Sequence, residues 1–121
     1  MCNVYATYGE NEKAIIRKGI LAIQEVLMGN NIDKKKNLLF ALDWFMDPYF
    51  KKDISNIYED LIILLQNVVI LSKNDDVSED ALNLLISYGY PPFHILEKNI
   101  NKVSEKLKQD VLYAINMDKE Y

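Results

Sequence analysis

His94 is the single histidine of the chain, and Glu97 stands three positions after it. An imidazole one helical turn from a carboxylate is half of an acid–base device. It becomes catalytic only beside a nucleophile and a substrate proton, and no nucleophile motif accompanies it. A solvated or interface histidine is the reading the residues favour. Asp43 and Asp47 form a carboxylate pair one turn apart, with Trp44 between them. Asp47 precedes Pro48, so an ordinary turn accounts for it better than acid–base work. Cys2 has no second cysteine to pair with, which rules out an intramolecular disulfide and leaves no metal or redox site expected there. The acidic run "NDDVSED" (Asn74 to Asp80) has the composition of a calcium loop but lacks its central glycine and its alternation of ligands. The four glycines, at 9, 19, 29 and 89, are too scattered to cradle a phosphate. No catalytic, cofactor-binding or metal-binding residue is expected.

Charge says more than chemistry. The chain has 121 residues, 14 basic and 18 acidic, for a net charge of −4. Between positions 74 and 101, Lys98 faces Asp75, Asp76, Glu79, Asp80 and Glu97, so this window carries the whole excess. Acidity of this kind opposes nucleic-acid binding, which needs lysine and arginine at phosphates, and suits a basic protein partner. Lys34, Lys35 and Lys36 are a short basic run in the first turn of a helix and could contact an anion, but on an acidic domain they are weak evidence for nucleic acid. Aromatic residues gather at two breaks: Tyr49 and Phe50 at one, Tyr88, Tyr90 and Phe93 at the other. Tyrosines beside acids suit a protein-binding surface. The expected partner-binding set is therefore Asp75, Asp76, Glu79, Asp80, Tyr88, Tyr90 and Glu97.

These residues must be held by helices, because the apolar pattern is helical throughout. Ile16, Ile20, Ile23 and Leu27 recur at four, three and four, which predicts one helix over 10–28. Leu38, Leu39, Leu42, Phe45 and Met46 predict a second, capped by Asp33 and stopped at Asp47-Pro48, with "YFKK" as a connector. A third, from Asp53 or Ser55 to Ser72, carries two stripes: Ile57, Leu61, Leu64, Val68 and Leu71, and Tyr58, Ile62, Leu65 and Val69. Apolar cover so broad predicts a central helix. Asp76 and Glu79 read as a capping box for a fourth helix ending at Gly89, with Ser78 as the competing cap. Pro92 at the first helical position opens a short fifth helix with Ile95, Leu96 and Ile100 inward. A sixth runs from Ser104 with Val103, Leu107, Val111, Ala114 and Ile115 inward, and "DKEY" is a tail.

The expectation is one all-α domain over 1–121, with about six antiparallel helices. Pro48 and Pro91 stand 43 residues apart, a period that suits a HEAT or armadillo superhelix; an irregular helical bundle uses the same loops. No apolar run reaches 18 residues, and the N-terminus lacks a basic region followed by an apolar one. No membrane span and no signal peptide are expected, and with the lone cysteine this points to the cytoplasm.

The stretch "SEDALNLLISYGYPPFHILEKNINKVSEKLKQDVLYAIN", Ser78 to Asn116, resembles the helical pattern of small HEAT-like bacterial immunity proteins of the contact-dependent growth inhibition type. The shared features are an acidic helix start, a leucine-rich helix, an aromatic-proline-proline break, "LEKN", and a last helix ending "LYAIN". The resemblance implies a protein without enzymatic activity that binds a cognate toxin domain, often a basic nuclease, and neutralises it in the cell that makes it. A monomer in a 1:1 complex is the expected form. Such families vary their binding surfaces, so the seven residues above rest on charge and aromatic placement alone. A helical adaptor or regulator without a toxin partner is the alternative. A neighbouring gene for a large secreted protein would favour immunity over it.

Overall fold

The computed structural model describes residues 9–47 and 54–117. Cys2, the Pro48 stop, Tyr49, Phe50, the remainder of "YFKK", Asp53 and the "DKEY" tail lie outside these residues. The described residues are helical, in the order α1 (Glu10–Lys18), α2 (Ile20–Leu27), α3 (Ile32–Met46), α4 (Tyr58–Leu71), α5 (Asp75–Tyr88), α6 (His94–Lys98) and α7 (Glu105–Asn116). Short 3-10 turns at Ser55–Ile57 and Ile100–Lys102 precede α4 and α7. The fold class is all-α, as the periodicity predicts. Contacts along the chain divide it into two compact units, Met1–Leu61 and Ile62–Tyr121, the division falling inside α4.

In the first unit, α1, α2 and α3 touch one another pairwise. The core here is Ile16, Ile23 and Leu27 with Leu38, Leu39, Leu42, Phe45 and Met46. Fully burying a leucine or isoleucine contributes about 1.5–3 kcal/mol, so this cluster outweighs any cap or surface pair in the unit. The helix expected over 10–28 is two helices. Gly19 sits between them at φ 106° and ψ −171°, a backbone region open almost only to glycine. The amide of Gly19 still donates to the carbonyl of Ile16, and the amide of Ile23 to the carbonyl of Gly19. The chain therefore turns without orphaning these groups, and the apolar spacing passes through the turn unchanged.

Asn31, not Asp33, caps α3: its Oδ1 accepts from the amide of Lys34 at 3.0 Å. Asn31 has the extended backbone a cap requires, whereas Asp33 is already inside the helix. Lys35 is buried within the basic run. A lysine stem can cover apolar surface in this way.

In the second unit, α5 packs on α7, and α6 on α7. Leu82 and Leu85 of α5, Leu96 of α6, and Leu107 and Val111 of α7 are fully buried. The inward set expected for the last helix, from Val103 to Ile115, is buried throughout. Along α4, Leu64, Leu65, Val68 and Val69 are buried, while Leu71, assigned to its stripe, is exposed at the helix end.

The cap of α5 also differs from expectation. Asn74 Oδ1 accepts from the amide of Val77 at 3.0 Å, and Ser72 Oγ accepts from the amide of Asn74. Asp76 and Glu79 therefore lie within α5 and form no capping box, and Ser78 is a buried helical residue. Helix α6 begins at His94, two residues after the position expected, with Phe93 at its N-cap and a cis Pro91–Pro92 peptide before it. Ile95 and Ile100 are half-buried instead of buried.

Candidate partner-binding surface

A helix turns about 100° per residue, which fixes where the acids of α5 lie. Measured from Asp75, the residues Asp75, Asp76, Glu79 and Asp80 fall within an arc of about 140°. Val77, Ser78, Ala81, Leu82, Leu84 and Leu85 are all buried. They occupy the arc from about 180° to about 340° on the same wheel. The acids therefore share the side of α5 turned from its buried face. Asp76 is exposed, and Asp75, Glu79 and Asp80 are half-exposed. Asp75 and Asp76 also sit in the first turn, where carboxylates meet the positive end of the helix dipole.

The structure does not bring the tyrosines to these acids along α5. Tyr88 ends α5, thirteen residues from Asp75, about 20 Å along the axis at about 1.5 Å per residue. It lies at about 220° on the wheel, over the buried arc, and is half-buried. Tyr90 follows in the connection to α6 and is 81% exposed. Glu97 is exposed on α6, as is His94. The seven expected residues thus form an acidic group on the first two turns of α5 and a separate group at and beyond its far end.

Phe93 belongs to neither. It is 0% exposed, so this aromatic of the break is core. Gly89 makes the room for it. A Cβ there would stand 3.1 Å from the Phe93 ring and 2.8 Å from the carbonyl of Leu85. The prolines and the glycine carry the chain around a buried ring, which explains the composition of the break without a ligand.

A residue that the sequence gives no reason to single out holds the same region together. Gln66, in α4, is 4% exposed. Its Oε1 accepts from the amides of Ile95 at 3.1 Å and Leu96 at 3.4 Å, and its Nε2 donates to the carbonyl of Ile62. Phe93 has no side-chain acceptor to offer at the N-cap of α6, so Gln66 supplies one from 29 residues away. The signal available was a polar pair, Gln66 and Asn67, interrupting the apolar run Leu61–Leu71 of α4.

The second unit also contains a pocket of about 320 Å³. Its walls come from the end of α4 (Val69, Ile70, Ser72, Lys73), the start of α5 (Asp75, Ser78), and the turn into α7 (Lys102, Ser104, Leu107). Among the described residues no group of three or more His, Cys, Asp or Glu could hold a metal ion. No described helix is long and apolar enough to cross a membrane. Compared with known proteins, the chain matches no family model, no curated protein and no solved structure.

Proposed function

We propose that this chain is an immunity protein that binds a basic toxin domain, of nuclease type, and neutralises it by contact through the outward acidic side of α5. The supporting observation is the segregation just described: Asp75, Asp76, Glu79 and Asp80 face away from the buried arc, in the window that carries the whole net charge. The resemblance of Ser78–Asn116 to HEAT-like immunity proteins supplies the class. A nuclease presents positive charge where it grips phosphate, and an acidic helix side competes for that charge. In this reading the chain acts as a monomer in a 1:1 complex in the cytoplasm and catalyses nothing itself. Tyr90 and Glu97, at the other end of α5, extend the contact.

Steering charges act mainly on association, and anchored rings mainly on dissociation. Reversing Asp75 and Asp76 to lysine should therefore slow association with the cognate toxin domain. The effect should shrink as salt approaches physiological strength, where screening acts over about 8 Å. Tyr90→Ala should speed dissociation, costing about 2 kcal/mol if the ring is central to the interface. Stopped-flow binding and cell protection measure both. If these variants bind and protect like the wild type while Lys34→Glu and Lys36→Glu fail, the toxin meets α3 and this assignment is wrong.

A further inference from the structure

We propose that the pocket between the end of α4, the start of α5 and the start of α7 binds a small phosphate monoester. Lys73 and Lys102 would take its phosphate, and Val69, Ile70 and Leu107 its apolar body. The volume, about 320 Å³, is that of a small-molecule site and well beyond what a bare phosphate fills.

Three independent features point to an anion. Lys73 and Lys102 both line the pocket, and neither forms an ion pair among the described residues. Two lysines set against a single carboxylate, Asp75, give the lining a net positive charge that attracts an anion. Ser78 is 2% exposed and lines the same space. Its hydroxyl forms no hydrogen bond among the described residues, yet no sealed side-chain oxygen there lacks a partner. The oxygen therefore opens into the pocket, ready to donate to a ligand. Finally, the amides at the start of α7 have no side-chain acceptor, because Ser104 at the N-cap makes no capping bond. The start of α5, in contrast, is already capped by Asn74. A helix start whose amides lack a cap favours an oxyanion.

Asp75 opposes the ligand. It is the one acid lining the pocket, and its carboxylate lowers the affinity that the lysines create. Its removal should tighten binding, a sign that nonspecific attraction to surface lysines at other places on the chain would not reproduce. The site shares Asp75 with the proposed toxin surface, but it rests on Lys73, Lys102, Ser78 and the start of α7 and not on the immunity reading.

The test is a titration of the full chain with phenyl phosphate, inorganic phosphate and, at matched ionic strength, sodium chloride, followed by amide NMR shifts. Phenyl phosphate should give saturable shifts at Ser78, Glu105 and Lys106. Lys73→Ala with Lys102→Ala should weaken it about tenfold or more, the scale of a lost charge-assisted contact. Asp75→Asn should tighten it. Both lysines are exposed, so the double variant should keep the fold, and Lys→Gln replaces it if its circular dichroism changes. Shifts no larger than those from chloride overturn the proposal, as does unchanged affinity in the lysine variants. If inorganic phosphate binds as tightly as phenyl phosphate, the apolar wall contributes nothing and the ligand class is wrong.

Discussion

Gly19 and Gly89 both end a helix, and they do it for opposite reasons. Gly19 has φ 106° and nothing within 4 Å of where a Cβ would stand. Space is free there, and the backbone angle demands glycine. Gly89 has φ −93°, an angle open to every residue, but a Cβ would press on the carbonyl of Leu85 and the ring of Phe93. There the angle is free, and the space demands glycine. The first break depends on the chain alone. The second depends on what the chain packs against.

The largest test of this contrast removes the ring. Phe93→Ala should cost about 3–5 kcal/mol in urea unfolding, since a fully buried aromatic is lost. A cost under about 1 kcal/mol would show that Phe93 is not what the break is built around. Gln66→Leu comes next. It keeps the volume of the side chain but leaves the amides of Ile95 and Leu96 without their acceptor, at about 1–3 kcal/mol for each that stays buried. A neutral result would mean that α6 keeps its first turn by other means.

The glycines themselves are the finer tests. Gly89→Ala should cost about 1–3 kcal/mol as an overpacked site. Part of that cost should vanish when Phe93 is also shortened to leucine, because the two positions touch. Gly19→Ala should cost less, about 1–2 kcal/mol, the penalty for an L-residue on the wrong side of φ. No truncation of a neighbour should relieve it. A synthetic chain with D-alanine at position 19 should recover the loss. If D- and L-alanine cost the same there, the difference between the two glycines is not one of backbone angle.

The same contrast explains what the sequence makes legible. The apolar stripes of α3, α4 and α7 follow from spacing, since burial at Leu38, Leu42, Leu61, Leu65, Leu107 and Val111 needs only the helical period. The Gly89 break is equally plain because two prolines follow it. Gly19 is hidden, since Ile16, Ile20 and Ile23 keep their spacing across a turn that only the dihedral angle reveals. The caps of α3 and α5 each stand two residues before the expected aspartate because Asn31 and Asn74 compete with Asp33 and Asp76. Local backbone angles decide that contest, and composition does not show them. In the candidate surface, the acidic arc of α5 is readable from the positions 75, 76, 79 and 80. The aromatic half is not. Whether Phe93 points in or out depends on Gly89 and on packing within the second unit, and Tyr88 falls over the buried arc by the period of its own helix.

Gln66 has a consequence for the order of events during folding. Helix α6 has five residues, far below the length at which an isolated helix persists in water, where about 12–15 are needed. Its second and third amides are held by α4. Until that segment of α4 is wound and in place, these two amides of α6 lack their acceptor. In native-state hydrogen exchange the amides of Ile95 and Leu96 should therefore open together with the turn of α4 around Gln66, at one shared free energy, and should not fray as a short surface helix would. A five-residue element would then report on the integrity of a fourteen-residue one.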